Sequence, residues 1–365
     1  MKDTTFGFIG LGLIGGSIAR GIKRACPTAR IMAYMRTRAK LEQAKEDGIV
    51  DVILDGIGEP LLECDIIFLC TPVEYNAQYL TQIRPFLKPG ALITDVGSTK
   101  EDIHRVVTTL RMEEFFVGGH PMAGSEKTGY ENSTDHLLEN AYYIVTPTAK
   151  TKQEDADRLV EIARSIGSIP IVLDYHEHDR IVAAISHLPH LIASSLVNLV
   201  KDSDNQNELM KRLAAGGFKD ITRIASSSPE MWEQICMTNR KNISRILTDY
   251  IASLEKIKDQ LDEAKSGAIY HLFETSRDYR NSLPVKGNGP LARIYEIYCD
   301  MVDEAGGIAT LATILASNQI SLKNIGIVHS REFIEAVLRI EFYDEESMKS
   351  AIEILRKHRY VIYER

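Results

Sequence analysis

The segment FGFIGLGLIGGSIARGIKRA, residues 6–25, constrains the fold more than any other part of the chain. Its first five residues are an apolar run suited to a buried strand, and IGGSIARGIKRA reads as a helix. Between them lies Gly10-Leu-Gly12-Leu-Ile-Gly15-Gly16. At a strand–turn–helix junction each glycine has its own task. Gly10 permits the tight turn, Gly12 lets the backbone approach a pyrophosphate, and Gly15 lets helix and strand pack closely. The N-terminus of the helix then faces the phosphate charge. The segment predicts a dinucleotide-binding βα unit with Gly10, Gly12, Leu13, Ile14 and Gly15 against the cofactor. The same glycines interrupt the apolar N-terminus, which is therefore not read as a signal peptide.

Further strands are expected at residues 30–34, 64–70, 90–96, 114–119 and 141–147, with amphipathic helices between several of them. Continuous apolar strands separated by helices predict an α/β domain, here residues 1–173, whose parallel sheet is covered on both faces. Ligands in such sheets bind beyond the carboxyl ends of the strands. Ser98 and His120 each follow a strand and belong on that rim, and Thr71 and Pro72 join the expected cofactor contacts. His120 lies in FVGGHPMAGSEKTG, too rich in glycine to be strand or helix interior. Its address suits a proton acceptor near the nicotinamide. Ser98-x-x-Glu101 also matches a capping box, a role compatible with substrate contact. The carboxylate that grips the ribose hydroxyls belongs about 20 residues past the glycine loop. Met35 stands there instead, followed by Arg36 and Arg38. The arginines would admit the 2′-phosphate of NADP; alternatively they are solvated and Thr37 or backbone holds the ribose of NAD, the preferred reading.

Residues 174–283 read as helical. The run 176–202 is expected to bend at Pro189 and puts His187 and His190 three apart on one face. Asp220 and Arg223 share that spacing; they form a surface ion pair, or Arg223 holds a substrate carboxylate bidentately. These amphipathic helices are long enough for a dimer interface. Residues 284–290, PVKGNGP, read as a linker. The remainder, 291–365, follows the ferredoxin-like order βαββαβ. With 365 residues, more than one core is expected. A net charge of −8 argues against a nucleic-acid partner and requires local groups to attract an anionic substrate. Five widely spaced cysteines without a CxxC pair argue for reduced thiols in a cytoplasm and against a metal site. No apolar run is judged to reach the roughly 18–20 residues of a membrane span.

Seven motifs in order, GLGLIGGS, TDVGSTK, GGHPMAGSEKTG, ENAYYIVTP, EHD, SHLPHLIA and GGFKDITRIASSSPEMW, make the chain resemble the prephenate dehydrogenases that carry a C-terminal ACT domain. The resemblance implies oxidative decarboxylation of prephenate to 4-hydroxyphenylpyruvate with NAD, in L-tyrosine biosynthesis. It implies that His120 is the catalytic base and that Ser98 hydrogen-bonds beside it. Arg223 and His190 would hold substrate oxygens, Ser125 and Glu126 would line the entrance, and Asp220 and Trp232 would shape the pocket. It further implies a homodimer and inhibition by L-tyrosine. The alternatives are an arogenate dehydrogenase using NADP, another two-domain dehydrogenase, and a non-catalytic NAD-binding sensor. Dehydrogenases of the second kind commonly use a helical-domain lysine, where this chain offers His187, His190 and Arg223.

Overall fold

The computed structural model describes residues 2, 4–124, 127–283, 295–301, 306–328 and 336–363. Two compact units divide the chain, Met1–Leu283 and Pro284–Arg365.

The first unit begins with a parallel sheet of β1 (Thr5–Ile9), β2 (Arg30–Tyr34), β3 (Val52–Ile53), β4 (Ile66–Leu69) and β5 (Leu92–Asp95), in the order β3-β2-β1-β4-β5. Alternation along the strands feeds two cores. Phe6, Phe8, Ile66 and Phe68 point to one face, where they meet Ile18 and Ile22 of α1 (Leu13–Ala25). Ile9, Ile67, Leu69 and Ile93 point to the other. The stacked rings of Phe8 and Phe68, 5.0 Å apart, sit at the centre of the first face. Next come α2 (Arg38–Glu46), α3 (Asn76–Ile83) and α4 (Glu101–Thr109); α3 and α4 cover the second face with Leu80, Ile83, Ile103 and Val107. A sheet apolar on both faces needs helices on both, which is why these strands read as unbroken apolar runs.

Beyond β5 the expectation of a wholly parallel sheet fails. Strand β6 (Val117–Pro121) lies parallel to β5 through a bridge from Ile93 to Phe116. It then pairs antiparallel with β7 (Tyr142–Pro147), which pairs parallel with β8 (Ile169–Val172) after α5 (Gln153–Ser165). The reason is connectivity. A parallel return needs a crossover, and among the described residues no α-helix lies between β6 and β7.

A helical layer follows. Helix α6 (Tyr175–Val182) passes through a π-helical turn, Ala183–His187, into α7 (Leu188–Ser203). Pro189 is the cause: it cannot donate to the preceding turn, and the wider turn falls just before it. Within the combined run of 29 residues, an 18-residue window has a mean hydropathy of 1.4, long and apolar enough to span a bilayer by those two measures. That corrects the reading that no apolar stretch reaches this length. Here His178, Asp179 and His187 on this run are buried inside the unit. The layer continues with α8 (Leu209–Leu213), α9 (Gly216–Thr222), α10 (Pro229–Thr238), α11 (Arg240–Asp262) and α12 (Ser266–Ser282). On α11 and α12, Ile251, Leu254, Leu261, Tyr270, Phe273 and Tyr279 are exposed.

In the second unit, β9 (Tyr295–Met301), α13 (Gly307–Ser317), β10 (Leu322–Val328), β11 (Ala336–Phe342), α14 (Glu345–Lys357) and β12 (Ile362–Tyr363) form an antiparallel sheet with two helices. The strand order is β10-β11-β9-β12. Ile297, Cys299, Leu311, Leu315, Leu338, Ile340 and Leu355 fill the core between them. The segment expected as a linker, 284–290, lies outside the described residues.

Candidate active site

The glycine loop is shaped for a dinucleotide. Gly10 has φ +90°, and a Cβ there would sit 2.7 Å from the Cys70 carbonyl oxygen. A Cβ on Gly15 would come within 2.9 Å of the Cys70 Cβ, so helix and strand meet at a distance only glycine allows. At Gly12 the added Cβ would meet nothing within 4 Å. The loop is therefore open where a pyrophosphate would lie, and α1 begins at Leu13 and Ile14 with no acidic residue in its first turn. At the ribose end, Met35 packs half-buried against the core. Arg38 is engaged by Asp55 and by Glu42, the latter at 3.2 Å. Pro72 opens a short turn ending at Tyr75, and the Arg36 guanidinium lies 5.0 Å above the Tyr75 ring. Thr71 donates to Asn76 Oδ1 at 3.3 Å and thereby fixes the start of that turn.

Strands β1, β4, β5 and β6 run side by side in one direction. Gly10, Thr71 and Ser98 thus follow their strands onto the same rim, as the topology of such sheets requires. His120 does not follow its strand as expected but lies within β6 near its end, paired with Ile144 of β7. His120 is only 9% exposed. Its Nδ1 lies 2.8 Å from Nε2 of His178, whose own Nδ1 lies 2.8 Å from Asp179 Oδ1. Asp179 also accepts from the backbone N–H groups of Lys100, at 2.7 Å, and Glu101, at 2.9 Å. The carboxylate accepts every bond made to it, so His178 carries a proton on Nδ1, and in the neutral ring Nε2 is then an acceptor. His120 then donates from Nδ1, and its Nε2 keeps a free lone pair. Burial pulls the His120 pKa well below its ordinary value, and the neighbouring His178, Lys100 and His187 push it the same way. The outcome is a neutral imidazole with a basic nitrogen.

Sequence reasoning missed the second half of this arrangement. His178 and Asp179 form the EHD motif but received no role, because nothing in their spacing from His120 reveals a contact 58 residues away. The capping-box expectation is also corrected. Helix α4 takes Lys100 as its N-cap and has no side-chain cap of its own; the amides that a cap would satisfy are bonded to Asp179. Ser98 is left half-buried in the loop after β5, with its hydroxyl uncommitted among the described residues.

The helical layer supplies a second cluster. His190 on α7 donates from Nδ1 to the Ser186 carbonyl at 2.9 Å and stacks on Trp232 of α10, ring centroids 3.7 Å apart. Burial lowers its pKa, the Ser186 carbonyl raises it, and the charge of Arg223 lowers it. Trp232 Nε1 is buried without a hydrogen-bond partner among the described residues. His187 accepts at Nδ1 from the Asn239 amide at 3.2 Å and meets Trp232 edge-on. Asp220 stands exposed on α9, and Arg223 is exposed at the end of that helix. Ser125 and Glu126, expected at the entrance, lie outside the described residues.

A dinucleotide loop, a buried neutral histidine on its rim and a facing helical layer with histidine and arginine define a two-domain dehydrogenase, an oxidoreductase. Comparison with known proteins makes the class specific. Residues 18–171 match the nucleotide-binding domain of prephenate dehydrogenase, and residues 174–275 match its dimerization domain. Prephenate dehydrogenase of Bacillus subtilis is 37% identical over 353 residues, covering 96% of this chain and 95% of that one. The enzyme of Lactococcus lactis is 36% identical, covering 96% of both. A solved structure of prephenate dehydrogenase from A. aeolicus, in complex with hydroxyphenyl propionate and NAD+, superposes with a TM-score of 0.71 at 29% identity; it covers 76% of this chain and 98% of its own. Arogenate dehydrogenase from Synechocystis gives a TM-score of 0.70 at 29% identity, with 76% of this chain and 99% of its own covered. The chain belongs to the prephenate dehydrogenase family and acts as a prephenate dehydrogenase.

Proposed function

We propose that His120 is the base of this reaction, that His178 and Asp179 set its tautomer, and that the cofactor is NAD. The observation that carries the reading is the unbroken line from Asp179 through His178 to His120, ending in a lone pair at the rim of the glycine loop. NAD, bound along that loop, takes a hydride from C4 of the ring. His120 Nε2 accepts the proton of the 4-hydroxyl as that hydride departs. The ring carboxylate leaves as CO2, and the electrons of its bond complete the aromatic ring and reach the C4 oxygen. That oxygen recovers the proton from His120, so the base is regenerated within the turnover. Aromatisation supplies much of the driving force, so the protein's part is orientation and one proton transfer. Ser98 hydrogen-bonds beside the hydroxyl, Arg223 and His190 hold carboxylate and side-chain oxygens, and Asp220 and Trp232 shape the pocket from the helical side.

Residues 1–173 form the dinucleotide domain, 174–283 the substrate and dimer domain, 284–290 a linker and 291–365 an ACT module through which L-tyrosine inhibits. What supports the last assignment is the βαββαβ order and the strand order β10-β11-β9-β12 of the second unit, the ferredoxin-like plan. The NAD reading over NADP is supported by Arg38, whose guanidinium is already engaged by Asp55 and Glu42. Initial rates with prephenate and arogenate, each crossed with NAD and NADP, test the reading. Prephenate with NAD is expected to be the fastest pair; faster arogenate turnover, or a preference for NADP, would overturn it.

A further inference from the structure

Lys100 is among the largest fully buried side chains of the first unit, and the proton transfer just described gives it nothing to do. Its contacts are unusual for a residue without a task. The ammonium touches Asp95 Oδ2 and donates at 2.7 Å to the carbonyl of Gly119, the residue before His120. Its backbone N–H donates at 2.7 Å to Asp179 Oδ1, the oxygen that also receives His178 Nδ1. Asp95 grips the same strand from the other side, its Oδ1 accepting from Gly119 N–H at 3.2 Å. The glycines before His120 make the approach possible. A Cβ on Gly118 would lie 3.3 Å from the Lys100 Cδ, and one on Gly119 would lie 2.6 Å from the Asp95 carbonyl oxygen.

We propose that Lys100 is a positioning residue for the base: with one side chain and one amide it clamps the strand carrying His120 against the helix carrying His178 and Asp179, and keeps a positive charge behind the imidazole. The proposal rests on the reading of His120 as the base. His120 is faced by His178 from α6, by His187 from the π-helical turn and by Lys100 from the loop before α4, with Asp179 behind His178 and Asp95 on the Lys100 ammonium and the Gly119 amide. Burial lowers the Lys100 pKa while direct contact with Asp95 opposes that loss. The Lys100 charge disfavours imidazolium at His120, so the lone pair on Nε2 survives to lower pH. Removing the charge lets His120 protonate at higher pH, and the acidic limb of kcat/KM must move up.

The test uses full-length protein carrying Lys100→Met, Lys100→Arg, or Lys100→Met with Asp95→Asn, the last leaving no orphaned carboxylate. Folding is followed by circular dichroism, NAD affinity by calorimetry, and kcat/KM as a function of pH. For Lys100→Met we expect kcat to fall by about 10- to 100-fold, since misplacement near 1 Å has that effect. The acidic limb should rise by about one pH unit, with NAD affinity changed less than about 3-fold. Lys100→Arg should lose rate but keep the limb near its original position, because it keeps the charge without the geometry. The double variant should show both effects, the shift in the limb being smaller. A folded Lys100→Met or double variant with its limb unmoved and kcat within about 3-fold of the parent overturns the proposal. Loss of fold in both overturns it as well, by making Lys100 a residue of stability alone. His120→Asn separates the two readings. If that variant loses its rate while the Lys100 variants are unchanged, only the clamp fails; if it keeps its rate, the base assignment fails first.

Discussion

A side chain at Gly12 would meet nothing in the fold, whereas one at Gly15 would collide with Cys70 and with the Gly10 carbonyl. The two glycines should therefore fail differently. Gly12→Val is expected to leave the thermal midpoint nearly unchanged and to raise the Kd for NAD by about 10-fold or more, because the added methyls occupy pyrophosphate space. Gly15→Val should lower the midpoint itself, as overpacking costs about 1–3 kcal/mol. Calorimetry and a melting curve on each variant check both; equal behaviour would contradict the division of tasks. Residues whose role is local were legible in the sequence for this reason: a glycine loop announces its chemistry within seven positions. His120 was legible by address. His178 and Lys100 were not, because a tertiary hydrogen bond leaves no periodicity behind.

Local pattern and tertiary contact compete directly at the start of α4. Ser98-x-x-Glu101 satisfies the spacing of a capping box, yet Asp179, arriving from α6, takes the amides of Lys100 and Glu101. A carboxylate makes stronger bonds to these donors than a neutral hydroxyl, and its position is held by His178 as well. Asp179→Asn consequently acts on two elements at once. It should cost about 1–3 kcal/mol of stability through a weakened helix start. It should also lower kcat with little change in KM, because the amide no longer fixes the His178 tautomer and His120 loses its orientation. Urea unfolding and steady-state kinetics on the same preparation check the pair; a loss of stability with kcat intact would separate the cap from the base. Most other elements, including all six strands and helices of the second unit, follow from apolar period and turn residues. The exceptions were β3, with two residues, and β8, partly exposed and interrupted by Pro170, which argues against a strand in the sequence. The antiparallel turn of β7 depends on a connection rather than on a strand's own residues.

At the scale of the whole molecule, buried neutral histidines make stability depend on pH. Burial lowers His104 to about 3 and His187 to about 4, and lowers His120 well below its usual range. In the unfolded chain each titrates near 6.5. Below that pH the unfolded state binds the extra protons, so stability is lost as pH falls from about 6.5 towards 3, and the loss levels off once the folded histidines also protonate. The thermal midpoint at pH 5 should lie below that at pH 7, and His104→Gln should flatten the difference; a midpoint unchanged between the two would contradict the burial argument. Regulation belongs to this scale too. If L-tyrosine acts through the second unit, a chain ending at residue 283 should keep its turnover and lose inhibition, while inhibition that persists would place the effector in the substrate pocket. That truncation leaves one of the chain's two compact units intact.

The central claim is that one neutral imidazole takes the hydroxyl proton. His120→Asn keeps the size and a hydrogen-bond donor but removes the basic nitrogen. In a pre-steady-state comparison with prephenate and NAD, the account predicts that the rate of hydride transfer falls by about 10²- to 10⁴-fold while the Kd for NAD stays within about 3-fold of the parent. An asparagine variant that still transfers hydride at a comparable rate would contradict it.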